Sequence, residues 1–351
     1  MSERQEQEDR AVGTAETAIE LKKHRKRPLL WLAFGVLSLG LLANLVFAAF
    51  YAVNKKPFAA LPVVGTLTQR TPPRFGFSIY DVSRPLGVAV SRDGQRLYVT
   101  ESAGERQVRV FDGNGRPVGF LSPPDTDKGK RAPTYVALDG KGRIFVSDST
   151  SRAVHIYSPS GEYAGRVPPP PGDTSATPLG LAFDRHGRLY VATAGVEKET
   201  HRVLVYDAQL QFKGAFGQRG NGPGELEFPN GLVVDDKDRL FVSNGNNGRV
   251  DAFSIRDQDF GQVLKADVIA GQGLPRGVAL DEQNRLHVVD TTNSMVSVFG
   301  VGGDRPAQLF TFGEFGLGDG QLQYPNGVAI DQSGRVYVTD RVNDRVQVWV
   351  Y

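Results

Sequence analysis

Six times along the chain, a short apolar run is followed by a polar turn and then by two segments in which apolar and polar residues alternate. The last copy, residues 325–351, shows the pattern most fully. Val328, Ala329 and Ile330 form a brief apolar run opened by Pro325, Asn326 and Gly327. Residues 331–334 are a polar turn ending in Gly334, residues 335–339 alternate, and residues 345–350 alternate strictly. A period of two sends successive side chains to opposite faces of an extended strand, so the copy predicts three strands joined by polar loops. Such a meander cannot stand by itself, because its apolar face needs another sheet to cover it.

Five further copies open at Pro85, Pro133, Pro178, Pro229 and Pro275, and the leading prolines lie 45–51 residues apart. That spacing holds four strands, the size of a propeller blade. The predicted fold is therefore all-β: a six-bladed β-propeller of four-stranded antiparallel blades. Stretches such as 211–217 and 307–313 supply the fourth strand between copies. The sixth copy reaches Tyr351 without one, whereas residues 74–80 precede the first copy unassigned. These residues are predicted to close the last blade as its outer strand, which would also cover an open sheet edge.

The motifs P-x-G-[VL]-A, G-R-[VLI]-[YF]-V-[TS]-D and N-x-R-V-Q-V-[FW], with the glycine-rich connections 216–229 and 312–325, resemble the NHL repeat of six-bladed propellers. The resemblance covers residues 74–351 and implies the ring fold. It says little about activity, because such propellers serve as sensors, adaptors, RNA binders and lyases.

The N-terminal region breaks the pattern. Residues 1–28 form a short polar tail ending in the basic run Lys22, Lys23, His24, Arg25, Lys26 and Arg27. The next 25 residues, from Leu29 to Val53, carry no ionisable side chain except Tyr51. A helix of that length rises roughly 37 Å, enough to span a hydrocarbon core of about 30 Å. Trp31 and Tyr51 stand near its ends, where aromatic rings favour the interface. The segment is longer than the apolar core of a cleaved signal peptide and no A-x-A site follows it. The sequence thus predicts one transmembrane signal-anchor helix at 29–53 and a proline-rich stalk at 54–73. Most basic residues precede the span, which predicts a single-pass cell-membrane protein with a cytoplasmic N-terminus and an extracytoplasmic propeller.

Composition narrows the functions. With 351 residues and 40% apolar content there is ample material for a large core, and the absence of cysteine excludes disulfides, thiolate metal sites and a cysteine nucleophile. Residues 57–351 hold 32 Lys and Arg against 33 Asp and Glu. A nucleic-acid-binding domain would carry a strong basic excess, so nucleic acid is not an expected partner.

Candidate chemistry lies where the innermost strands of a propeller begin, at the mouth of the central channel. The residues between the Pro and Gly of each repeat fall there: Leu86, Thr134, Leu179, Asn230, Arg276 and Asn326. Arg84 precedes its proline, and Tyr135 occupies the place that is glycine in the other five copies. Arg84, Tyr135, Asn230, Arg276 and Asn326 could hydrogen-bond a peptide, sugar or carboxylate. Alternatively, the asparagines serve turn geometry and the arginines rim salt bridges. Glu101, Asp148, Asn244, Asp290 and Asp340 end the second strands. They could suggest a Ca²⁺ site of the lactonase-propeller kind, but Arg249 and Arg345, each five residues on, suggest loop bracing, a pattern that lapses at Ala153 and Met295.

An amidating-lyase relationship would require converging histidines on Zn²⁺. His24, His155, His186, His201 and His287 recur at no common repeat position. No catalytic residue, metal or cofactor is assigned. Enlarged loops at 194–201 and 122–132 could bind or could be tolerated insertions. The function read from the sequence is a membrane-anchored binding or scaffold module for a protein, peptide or small ligand. The alternative is a metal-dependent lyase or lactonase-like enzyme acting at the channel mouth.

Overall fold

The computed structural model describes residues 71–172, 175–256, 261–303 and 306–351. The tail, the apolar segment 29–53 and nearly all of the stalk lie outside the described residues. Among those described, no helix is long and apolar enough to cross a membrane.

Residues 74–351 are all-β. Strand β1 spans Arg74–Ile79. Blade 1 is β2 (Pro85–Val90), β3 (Arg96–Glu101), β4 (Val108–Asp112) and β5 (Pro117–Leu121). Blade 2 is β6 (Pro133–Leu138), β7 (Ile144–Asp148), β8 (Ala153–Tyr157) and β9 (Tyr163–Arg166). Blade 3 is β10 (Thr177–Phe183), β11 (Leu189–Ala194), β12 (Arg202–Tyr206) and β13 (Phe212–Phe216). Blade 4 is β14 (Pro229–Val234), β15 (Arg239–Asn244), β16 (Arg249–Ser254) and β17 (Gln262–Ile269). Blade 5 is β18 (Pro275–Leu280), β19 (Arg285–Asp290), β20 (Met295–Gly300) and β21 (Ala307–Phe312). A two-residue parallel pair, β22 (Glu314–Phe315) with β23 (Gln321–Leu322), precedes β24 (Pro325–Ile330), β25 (Arg335–Asp340) and β26 (Arg345–Val350). β1 pairs antiparallel with β26, so blade 6 has the order β1-β26-β25-β24.

The alternation read in the sequence is buried on both faces. Each blade is sandwiched between two neighbours, and six apolar clusters occupy the six junctions. In β25, Tyr337 packs into the junction with blade 1 while Val336 and Val338 pack into the junction with blade 5. One strand with a period of two therefore serves two cores, which is why the second strands carry little polar sequence.

At the axis the inner strands meet through glycine. A Cβ on Gly277 would lie 2.6 Å from the Asn326 carbonyl oxygen, and one on Gly87 would lie 2.7 Å from that of Thr134. Gly180, Gly231 and Gly327 make the same approach to the next blade. Only a residue without a side chain permits it. Hydroxyls reinforce the contact: Thr100 Oγ1 accepts from Gly87 N and donates to Thr134 O of blade 2, and Thr339 Oγ1 accepts from Gly327 N and donates to Leu86 O of blade 1.

Candidate functional site

The end of the ring where the inner strands start collects most of the polar candidates. Tyr135 reaches from β6 past blade 3, and its hydroxyl donates to Asn230 Oδ1 on β14 at 3.3 Å. Arg276 Nη1 on β18 donates to the same oxygen at 2.7 Å, and Asn230 Nδ2 donates to Phe228 O at 2.6 Å. Blades 2, 4 and 5 are thus tied together across the axis. Burial pushes the Tyr135 phenol up to about 12, only partly offset by the Arg276 charge, so the ring stays a neutral donor. Beneath it a void of about 100 Å³ is lined by residues from all six inner strands, including Val88, Gly180, Leu232 and Val328.

The structure therefore brings Tyr135, Asn230 and Arg276 together, with the Asn230 carbonyl already taken by two donors. Asn326 begins β24 nearby, and its buried Oδ1 has no partner among the described residues. Arg84 joins none of them. Its amide donates to Asp344 Oδ1 at 2.7 Å and its carbonyl accepts from Ser102 Oγ at 2.8 Å, while its side chain lies exposed.

The acidic positions hold connections blade by blade. Asp340 accepts Arg345 Nε at 2.8 Å and Gln323 N at 2.7 Å, and Arg345 Nη2 donates to Gly318 O and Gln321 O. In blade 4 the pairing differs from the sequence expectation: Arg249 pairs with Asp251 at 3.0 Å, because position 244 is a neutral Asn whose Nδ2 also donates to Asp251. In blades 1, 2 and 5 backbone amides take the place of an arginine. Asp148 accepts Ala132 N and Ser151 N, Asp290 accepts Gly273 N and Asn293 N, and Glu101 accepts Ser83 N. Burial raises the Glu101 carboxyl above its usual range.

The histidines are similarly local. His201, at the end of the enlarged 194–201 loop, bonds Gly195 O through Nε2 and accepts Phe228 N on Nδ1. His155 lies between Ser151 and Tyr163, and His287 between Arg285 O and the Tyr351 hydroxyl. His186 contacts Arg185 in a turn at the opposite end. Among the described residues no group of three or more His, Asp or Glu is placed to hold a metal ion.

Two features escaped the sequence reading. The first is a backbone strain. Arg84, Phe228 and Tyr324, each directly before the leading proline of blades 1, 4 and 6, have φ of 45°, 51° and 52°. Bulky residues rarely adopt this left-handed region. Phe228 and Tyr324 are nevertheless 39% and 53% exposed, and Phe315, Leu317, Val342 and Tyr80 add exposed apolar surface at the same end. The signal was the shared [FY]-P-N-G of blades 4 and 6. The second is at the opposite end, where in blades 2 to 6 the Asp of the polar turn pairs with the Arg four residues on, for example Asp184 with Arg188 at 2.5 Å and Asp331 with Arg335 at 2.7 Å. These arginines also cross to the next blade, Arg188 to Ile255 O and Arg335 to Gly113 O.

A family model described as NHL repeat matches residues 322–349, which fall in blade 6 and the end of its connection. The human E3 ubiquitin-protein ligase TRIM56 is 34% identical over 104 residues, covering 27% of this chain and 14% of the ligase. An L-arabinolactonase from Azospirillum brasilense is 30% identical over 141 residues, 36% of this chain and 44% of the lactonase. The matches span less than half the length of either relative. Among solved structures, a gluconolactonase from Xanthomonas campestris superposes with a TM-score of 0.61 at 19% identity, covering 80% of this chain and 95% of that one. A streptogramin B lyase gives 0.57 at 14% identity, over 78% and 96%. At these identities the likeness is one of fold.

Proposed function

We propose that this chain, a six-bladed propeller carrying an NHL repeat, is a binding module. In this reading residues 29–53 hold it at a membrane, with the ring on the extracytoplasmic side. It engages a protein or peptide through the end where the inner strands begin. The observation that carries the reading is the strained trio Arg84, Phe228 and Tyr324. A bulky residue held at positive φ costs about 1–3 kcal/mol, and such strain persists where the surroundings over-determine it. Here Asp344 and His201 accept the Arg84 and Phe228 amides and Asn230 donates to the Phe228 carbonyl, fixing the backbone at two of the three positions, and the side chains so displayed face solvent. A guanidinium and two aromatic rings around a polar mouth are the residue types that dominate protein interfaces.

The test replaces all three residues with glycine, which tolerates the same backbone. Arg84→Gly, Phe228→Gly and Tyr324→Gly together should leave the melting temperature unchanged or higher. Crosslinking in membranes of the source cell should then lose partners that the wild-type chain retains. An identical set of crosslinked partners at equal expression would overturn the reading.

A further inference from the structure

A second cavity lies away from the axis. A cleft of about 540 Å³ opens between blades 2 and 3. Its walls are Val154, Val167, Val191 and Leu204, Tyr206 lies among them, and the connection Pro168–Pro169–Pro170 runs over one side. Arg152 and Arg166 stand at its rim, both exposed, and neither has an ion pair among the described residues. The volume falls within the range of small-molecule sites, about 300–1,000 Å³.

Three contacts that occur together at the junction of blades 6 and 1, and only in part at the other junctions, are all absent here. First, Tyr135 stands where Gly87, Gly180, Gly231, Gly277 and Gly327 let neighbouring inner strands touch. Second, the Ser147 hydroxyl turns inward to Thr134 Oγ1 and Tyr135 N of its own blade, whereas Thr100 and Thr339 bond across to the next. Third, Leu226, Leu322 and Val82, each three residues before a leading proline, are buried plugs in their junctions. The residue at that place before Pro178 is Ser175, which is exposed.

We infer that this cleft is a binding site for a small amphipathic organic anion, a monocarboxylate with a compact apolar or aryl body. The aliphatic walls and Tyr206 would take the apolar body by burying it from water. The two arginines would take the carboxylate, for which the guanidinium fork is the matching donor. The site is independent of the proposed binding end, so either can fail alone.

The experiment is calorimetric titration of the full chain in lipid nanodiscs with 4-phenylbutyrate, against empty nanodiscs and against the uncharged isostere 4-phenylbutanol. Saturable binding is expected, at least tenfold weaker for the alcohol. The exposed pair Arg152→Ala and Arg166→Ala should weaken the acid at least tenfold and leave the alcohol unchanged. Ala176→Phe, which places a ring in the cleft, should abolish both. Equal affinity for acid and alcohol, insensitivity to the arginine pair, binding that persists in a folded Ala176→Phe, or no binding at millimolar acid would each overturn the assignment.

Discussion

At the scale of single residues, the buried histidines make the fold sensitive to acid. Burial lowers His287 from the usual 6.5 to about 4, with the Arg285 charge adding to the effect and Asp281 opposing it. His155 is lowered to about 4 for the same first reason, burial, with Asp148 opposing. A base whose folded value is depressed binds fewer protons than the unfolded chain between the two values. Stability from these groups is therefore full above about pH 6.5 and is lost as the pH falls towards 4. Protonation would also take the acceptor at His287 Nε2 away from the Tyr351 hydroxyl, which sits 2.7 Å away. The urea midpoint should thus fall steadily from pH 7 to pH 4.5, and His287→Gln should flatten that profile even if it lowers the plateau. A slope unchanged in His287→Gln would place the acid sensitivity elsewhere. Residues of this kind were only half legible beforehand. That His287 lay in a second strand followed from the repeat, but its partner Tyr351 is 64 positions away and no local pattern links them.

At the scale of elements, the repeat carried the most information. Six blades of four antiparallel strands followed from the leading prolines and the period of two, because each unit was long enough for four strands and no more. What the pattern concealed was the role of the polar turns. Asp331 and Arg335 read as a loop with a strand start, yet the pair bonds at 2.7 Å over a buried carboxylate and the guanidinium continues to Gly113 O and Gly94 O of blade 1. Local sequence cannot show a partner more than 200 positions away. Arg335→Ala leaves the Asp331 carboxylate unpaired and should cost about 2–4 kcal/mol, discounted for the partial exposure of the arginine. Adding Asp331→Asn should recover part of that loss, since the uncompensated charge is gone. A double variant that loses the full sum of both single effects would show that the two groups do not act as a pair. β1 lies at the same seam. Ile79 and Phe77 pack into the junction of blades 6 and 1 and Phe75 into that of blades 5 and 6. Removing residues 74–80 strips these contacts and bares the β26 edge. The melting temperature should fall by roughly 5–10 °C, on the scale of about 2–4 °C per kcal/mol for a domain of this size class. An unchanged melting curve would mean that β26 needs no partner.

For the molecule as a whole, the question is where the ring opens first. Chain connectivity alone points to the seam between blades 6 and 1, because only there are the first and last strands of the ring joined without a covalent connection. The interactions point elsewhere. The seam has β1 paired along β26, Thr339 bonded to Leu86, Arg335 bonded to Gly113, Gly327 in close approach and Val82 buried as a plug. The junction of blades 2 and 3 has a tyrosine for the glycine, an inward serine for the bridging threonine and an exposed serine for the plug, and a cleft opens beside its apolar cluster. Local opening follows the density of buried contacts and bridging hydrogen bonds rather than the position of chain ends. Hydrogen exchange on the full chain in nanodiscs should therefore show peptides covering β8–β10 exchanging faster than those covering β24–β26 and β1. Saturating 4-phenylbutyrate should slow the first set and leave the second unchanged, since a ligand that binds only the closed cleft protects the amides around it. Faster exchange at the seam would show that two non-covalently joined strands are weaker than the junction bordered by the cleft, and the ring would then open where its ends meet.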